Sequence, residues 1–244
     1  MIKRFKFLKV NFLNLDINNF DKIIKKKGLF VFPSGPGLAN LIKDQNYHKS
    51  LINSDYVFLD SGYLVLLLRL LKNIKVQKFS GYKFLKFLFN SLKKRGVHKI
   101  FFIDPSLKLS KSYKNYVHKS LQIKSNHYIA PKYDSKKIQD KKLIKQISVL
   151  KPKIIIINIG GGIQEILGFY LKNNLKYKPM IICTGAAIAY LTKDQAPINN
   201  FIDKIYLGWL LRIIFHPSAF FPRYIYTFKL FFLVLKNKIT ISFN

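Results

Sequence analysis

Two arginines in the segment 195–224 carry the side-chain chemistry that says most about this chain. Arg212 closes the run Trp-Leu-Leu-Arg at 209–212, which holds the chain's only tryptophan, and Arg223 directly precedes a tyrosine. A guanidinium is planar and permanently charged, so it grips two phosphate oxygens at once in a way that a lysine cannot. Because aromatic and aliphatic residues surround both arginines, the segment predicts binding of a diphosphate at an apolar boundary.

A carboxylate follows the apolar run 56–59: Asp60, with Ser61 and Gly62 after it. In an open parallel sheet, ligands bind beyond the carboxyl ends of the strands, where a carboxylate beside a glycine can face a substrate at close range. Aspartate and serine are also good helix N-caps, so the residues alone allow a purely structural role for Asp60.

Two turns of small residues follow later apolar runs, and Gln164 comes two residues after the first of them. Glycine allows close backbone approach, and the free N–H groups at the start of the next helix attract an anion such as a nucleotide diphosphate. The first turn is neither a dinucleotide fingerprint nor a P-loop, because no Gly-Lys-Ser/Thr follows. The small residues are Gly160, Gly161 and Gly162 in the first turn, and Gly185 and Ala186 in the second.

The charge of the chain favours polyanionic partners. Its 244 residues include 43 basic and 11 acidic side chains, a formal net charge of +32. Such an excess suits nucleic acid, an anionic membrane surface or phosphorylated substrates. Lysine, isoleucine, asparagine and phenylalanine are enriched together, as in proteins from AT-rich genomes, so the charge alone does not choose among these partners.

Several kinds of site find no support in the sequence. A single cysteine, Cys183, excludes an internal disulfide, and the five histidines show no metal-ligand spacing. No serine has the Gly-x-Ser-x-Gly context of a hydrolase nucleophile. We therefore expect neither a metal nor another cofactor.

The elements that position these residues show as apolar runs that alternate with helical patterns through the first 183 residues. Continuous apolar strands that alternate with helices indicate a Rossmann-like α/β fold, with a mostly parallel sheet flanked by helices. The predicted strands are 29–32, 56–59, 99–103, 154–159 and 180–183, and the predicted helices are 38–43, 63–71, 113–121 and 163–172.

The chain changes character near position 198, which divides it into a core, 1–197, and a basic, aromatic helical appendage, 198–244, with no clear strand. An apolar helix face rimmed by lysine suits the headgroup layer of a membrane, although the same helices could instead cover the sheet edge. No segment reaches the ~18 uncharged apolar residues of a spanning helix, and the N-terminus lacks the apolar stretch of a signal peptide. We expect a cytoplasmic protein that is peripheral at the inner face of the cell membrane.

These motifs together resemble the WecG/TagA/CpsF glycosyltransferase family, and their order along the chain is more specific than any one of them. The chain departs from the family pattern at Phe32, Ala189 and Gln195, so it resembles a divergent member. The matching residues are Asp60 and Gly62, Lys78 and Gly81, Gln164 and Glu165, Ala196 and Pro197, the run 209–212, Pro217, and Arg223 with Tyr224.

The resemblance implies an inverting enzyme that moves a sugar, of the N-acetylmannosamine type or a related hexose, from a UDP-sugar. The acceptor would be a sugar on a polyprenyl diphosphate, used in cell-surface polysaccharide synthesis. The implied roles are general base for Asp60, sugar contacts for Gln164 and Ser34, and donor-site contacts for Gly62 and the two glycine turns. Lys78 would offset charge on the leaving diphosphate, and Arg212 and Arg223 would bind the acceptor diphosphate.

Two other functions stay open at this point. A nucleic-acid-binding protein would use the charge and the 15% aromatic residues, but the basic residues are spread along the chain, so we expect no nucleic-acid partner. A catalytically inactive family member would serve as a scaffold. The sequence does not indicate an oligomeric state.

Overall fold

The computed structural model describes residues 3–95, 99–195 and 225–243, with the single positions 214, 218 and 221. The strands are β1 (Lys3–Phe7), β2 (Val10–Asn14), β3 (Gly28–Val31), β4 (Tyr56–Phe58), β5 (Ile100–Asp104), β6 (Ser125–Ile129), β7 (Ile154–Ile157), β8 (Met180–Cys183) and β9 (Thr240–Phe243). The helices are α1 (Phe20–Ile23), α2 (Gly35–Ala39), α3 (Gln45–Ile52), α4 (Gly62–Lys72), α5 (Gly81–Arg95), α6 (Leu107–Leu121), α7 (Lys141–Leu150), α8 (Ile163–Asn174), α9 (Ala187–Leu191) and α10 (Lys229–Lys236). Short 3-10 turns lie at Ile17–Asn19 and Tyr226–Phe228.

All of these strands form one sheet, in the order β6-β5-β7-β8-β3-β4-β2-β1-β9. The pairs from β6 through to β2 are parallel, whereas β1 pairs antiparallel with β2 and with β9. Every residue of β5, β7 and β8 is buried, as expected for central parallel strands covered on both faces. The predicted Rossmann-like α/β fold is confirmed.

Helices cover both faces of this sheet, and the alternation of side chains along the strands separates two apolar layers. Ile155 and Ile157 of β7 face the layer that holds α3, α4, α8 and α10. Ile154 and Ile156 face the layer that holds α1, α5, α6 and α9. Phe32 is buried in the second layer with its ring stacked 4.6 Å from that of Phe58.

The strands that the sequence did not predict all lie toward the two edges of the sheet. Lysines and an arginine alternate with apolar residues in β1, and β6 is only partly buried, so neither has the continuous apolar run of a central strand. The expectation that no strand follows position 198 is wrong, because β9 pairs with β1. Its pairing partner lies at the other end of the chain, where a local pattern cannot reveal it.

The described part of the predicted appendage packs against the core. Leu230 and Val234 of α10 are fully buried, and the side chain of Lys72 on α4 donates a hydrogen bond to the Leu235 carbonyl. Within residues 3–95, 99–195 and 225–243, no helix combines the length and apolarity that crossing a bilayer requires. The division of the chain at 197/198 stays a prediction.

Candidate functional site

Asp60 lies between the starts of two helices. Ser61 begins α4, since its hydroxyl oxygen accepts the Leu64 N–H at 3.2 Å. The Asp60 Oδ2 atom accepts the N–H of Gly81, the first residue of α5, at 3.3 Å. Serine therefore caps α4, and the carboxylate of Asp60, which is partly exposed, faces the start of the other helix. Helix N-termini stabilise negative charge, so this position suits a carboxylate side chain.

Gly81 also brings Asp60 close to the turn that follows β8. A Cβ atom on Gly81 would lie 3.2 Å from both Cβ and Cγ2 of Thr184, so a glycine permits this approach. Thr184 directly precedes Gly185 and the exposed Ala186. The structure therefore places the carboxylate and the second small-residue turn, which are far apart in sequence, at one edge of the sheet.

Gln164 and Glu165 connect the two glycine turns. The Gln164 Oε1 atom accepts the N–H of Gly185 at 2.6 Å, and its Nε2 donates to Glu165 Oε1 at 3.0 Å. The Glu165 Oε2 atom accepts the N–H of Gly162 at 2.7 Å. Gln164 is 4% exposed, and both ends of its amide are engaged. In the structure Gln164 positions the turns, and the predicted contact of its side chain with a sugar stays a prediction.

The turn 160–162 borders open space. A Cβ atom built on Gly160, Gly161 or Gly162 would meet no described atom within 4 Å. Gly162 has a φ of 90°, which disfavours any other residue, whereas the backbone of the first two glycines has no such requirement. The space above this turn leaves room for a ligand to approach the N–H groups of Gly160 and Gly161, since the Gly162 N–H already donates to Glu165.

Glu165, the chain's only glutamate, is 1% exposed. Burial raises the pKa of Glu165 to about 7, against the opposing effect of hydrogen bonds from the backbone N–H groups of Glu165 and Gly162 and from the Gln164 amide. A carboxyl group that binds its proton more tightly in the folded chain destabilises the fold when it ionises.

We expect the stability of the protein to fall as pH rises from about 4.5 to about 7, by up to about 3 kcal/mol from this group. In that window the unfolded glutamate has lost its proton while the folded one retains it. Urea unfolding of wild type and Glu165→Gln at several pH values measures the effect. Equal pH dependence in the two proteins would contradict it.

The remaining predicted residues of the described chain gather around Asp60. Ser34 is exposed at the start of α2, and a Cβ atom on the next residue, Gly35, would lie 3.0 Å from the Ser61 hydroxyl. Lys78 lies in a segment held beside β4, since the N–H of Phe79 donates to the Leu59 carbonyl at 2.9 Å. Gly62 is the buried first residue of α4. Arg212 and Arg223 lie outside the described residues.

A buried polar cluster that the sequence did not predict lies along the same edge of the sheet, on β5 and β6. Asp104 is fully buried; its Oδ2 lies 2.6 Å from His127 Nδ1, and its Oδ1 accepts the Asn158 amide N–H at 2.8 Å. The His127 ring stacks on Phe102 at 4.8 Å. Asp104, Asn158 and Thr184 each directly follow an aligned position of β5, β7 and β8, so one polar residue ends each apolar run. That pattern is the signal that could have identified the cluster.

Two atoms at this edge lack a hydrogen-bond partner among the described residues: Asn158 Oδ1 and Thr184 Oγ1, both buried. The amide nitrogen of Asn158 is the atom that donates to the Asp104 carboxylate. The amide oxygen therefore faces away from that carboxylate. Within the same described ranges, no group of three or more histidine, cysteine, aspartate or glutamate residues could hold a metal ion.

The fold and this edge define an α/β protein of the Rossmann-like type whose candidate site lies beyond the carboxyl ends of parallel strands. The sequence model of the glycosyl transferase WecG/TagA/CpsF family matches residues 5–243, nearly the whole chain, and the chain belongs to that family. It is a glycosyltransferase of cell-surface polysaccharide synthesis, and its family in general implies a nucleotide-sugar donor and a lipid-linked acceptor. A search of curated proteins gives no match.

Proposed function

We propose that the protein is an inverting glycosyltransferase that moves a sugar from a UDP-sugar to a sugar on a polyprenyl diphosphate. The observation that carries the proposal is the position of Asp60. Its carboxylate accepts the first N–H of α5, next to Thr184 and the Gly185 turn, at the edge where parallel sheets bind ligands. A partly exposed carboxylate at this place can meet both an acceptor hydroxyl and a donor bound over the turns.

The reaction follows from these positions. Asp60 takes the proton of the acceptor hydroxyl while that oxygen forms a bond to the anomeric carbon of the donor. The bond from the anomeric carbon to the phosphate oxygen breaks, and its electron pair leaves with UDP. A single displacement of this kind inverts the configuration at the anomeric carbon. The N–H groups of Gly160 and Gly161 and the Lys78 ammonium offset the charge of the leaving diphosphate.

A donor panel tests the proposal. Radiolabelled UDP-N-acetylmannosamine, its uronic acid and UDP-glucose are each incubated with the protein and a short-chain lipid-diphosphate sugar acceptor. We expect one donor to label the lipid product, with Arg212 and Arg223 contributing to the binding of the acceptor lipid's diphosphate. Labelling by none, together with salt-dependent binding of random oligonucleotides, would favour a nucleic-acid-binding protein instead.

The lipid acceptor calls for contact with a membrane, and the outer face of α10 suits this role. We define that face by the exposed side chains of Phe228, Phe232 and Leu235. Lysines at both ends of the helix, Lys229 and Lys236, would meet anionic headgroups. Since Leu230 and Val234 on the opposite side are buried in the core, α10 would attach the protein to the inner membrane face without leaving the fold.

We expect the double substitution Phe232→Ser and Leu235→Ser to weaken binding to anionic phospholipid vesicles about tenfold or more. The two side chains are 60% and 45% exposed, and transferring an apolar side chain out of water contributes ~1.5–3 kcal/mol. Co-sedimentation measures binding. A matched double substitution of exposed residues on α6 and α7, Leu107→Ser and Val149→Ser, should leave binding unchanged. Equal loss in both variants would argue against the α10 face.

A further inference from the structure

A polar cavity of about 610 Å³ opens at the carboxyl end of β2, separate from the glycine turns. It is bounded by the end of β2, the last turn of α4 and the loop 74–77. Its polar lining consists of Asn14, Asp16, Arg69, Asn73, Lys75 and Gln77. Ligand sites for small molecules commonly occupy 300–1,000 Å³, so the cavity has room for a sugar.

The loop wall of the cavity is held in place from two sides. Arg69 donates from Nε and Nη2 to the Val76 carbonyl, at 3.3 and 2.8 Å. Asn14 Oδ1 accepts the backbone N–H of Gln77 at 2.9 Å. The side chains of Lys75 and Gln77 are exposed on this fixed backbone. A wall that is already ordered loses little conformational freedom when a ligand binds.

A short stretch of chain connects the loop wall of the cavity to the residue before Asp60. The N–H of Phe79 bonds to the carbonyl of Leu59, the residue before Asp60, and Gln77 comes two residues before Phe79. Two residues of extended chain span roughly 7 Å. A ligand in the cavity could therefore present a hydroxyl to the Asp60 carboxylate.

The order of the strands separates this cavity from the proposed donor site. The glycine turns follow β7 and β8, Asp60 follows β4, and the cavity lies at the end of β2. Since the strand order runs β7-β8-β3-β4-β2, the carboxylate stands between the turns and the cavity. A donor bound over the turns would occupy one side of Asp60 and leave the other side, where the cavity lies, for the acceptor.

The lining has the chemistry of a carbohydrate site. The side-chain amides of Asn14, Asn73 and Gln77 offer donors and acceptors, the Asp16 carboxylate accepts, and Lys75 donates. Such a mixture can pair with the hydroxyl groups of a pyranose ring. Resting on the proposed function, we infer that this cavity binds the terminal sugar of the lipid-linked acceptor.

The test is the double substitution Lys75→Ala and Gln77→Ala. It removes two exposed side chains and keeps the backbone N–H that bonds to Asn14. We expect the KM for the acceptor to rise about tenfold, as for the loss of one or two hydrogen bonds, with kcat and the donor KM within about twofold. The same pair of residue types on α7, Lys145→Ala with Gln146→Ala, is the matched control and should behave as wild type.

A second measurement does not depend on turnover. Calorimetry gives the affinity of each protein for the acceptor and for the same lipid diphosphate without its sugar. The variant should lose affinity for the sugar-bearing lipid and keep its affinity for the bare one. Equal loss for both lipids would assign the cavity to the phosphates, and a raised donor KM would assign it to the donor sugar; either result overturns the inference. So does unchanged acceptor binding. Absence of transfer by wild type, with acceptor binding lost only in the variant, would count against the proposed function alone.

Discussion

Replacing Asp60 by asparagine should lower kcat for sugar transfer by about 10²–10⁴-fold and leave the protein folded. An amide oxygen can still accept the N–H of Gly81, as the carboxylate does at 3.3 Å, so the start of α5 keeps its partner. The amide cannot take the proton of the acceptor hydroxyl, and the loss of a general base has an effect of this size. Initial rates with the radiolabelled donor measure kcat, and thermal unfolding measures stability.

The matched control is Asp44→Asn. Asp44 caps α3, with its Oδ1 accepting the Tyr47 N–H at 2.9 Å, and asparagine caps helices about as well as aspartate. Both substitutions therefore preserve a backbone contact, and only Asp60→Asn should remove activity. If Asp60 has only a structural role, or the chain is an inactive scaffold, the two variants will match wild type in every assay, including the amount of cell-surface polysaccharide.

The second large effect concerns stability. We expect Asp104→Ala to lower the free energy of unfolding by about 3–5 kcal/mol, the size seen when one partner of a buried pair is removed. The carboxylate is fully buried, and without it His127 Nδ1 and the Asn158 amide nitrogen lose their partner at 2.6 and 2.8 Å. Urea unfolding gives the difference from wild type.

An exposed ion pair provides the contrast. Lys172 lies 2.7 Å from Asp55, with the two side chains 30% and 37% exposed, so water already solvates both charges. Lys172→Met keeps the aliphatic stem and should change the free energy of unfolding by less than about 1 kcal/mol. If Lys172→Met and Asp104→Ala lower the free energy of unfolding by similar amounts, burial does not make the Asp104 pair more important for stability than an exposed pair.

The sequence predicted those features of the fold that depend on neighbouring residues along the chain. The strands β3, β4, β5, β7 and β8 were predictable, because burial on both faces requires continuous apolar runs. The strands β1, β2, β6 and β9 were not, since they lie at or toward the two edges of the sheet, where polar and basic residues are tolerated. At the site, Asp60 and both small-residue turns stood out as polar or small residues at strand ends, which is a local signal.

Local sequence patterns could not predict how these residues interact with one another. The sequence did not indicate that the Gln164 amide joins the turn at Gly185 to Glu165, and its contact with a sugar stays a prediction. The Asp104–His127 pair joins positions 23 residues apart, and the cavity beside β2 takes its lining from three separate segments. These contacts depend on which strands become neighbours in the sheet. The spacing of residues along the sequence therefore cannot predict them.

The amino-acid sequence by itself determined the alternation of strands and helices, the residues at the strand ends and the family, since each rests on the order of residue types along the chain. Tertiary structure alone decided that Asp60 faces the start of α5, that Gln164 braces the glycine turns, and that the two chain termini pair in one sheet. The physical reason is that hydrophobic patterns specify which face of an element is buried. The packing of all elements together specifies which polar groups then meet.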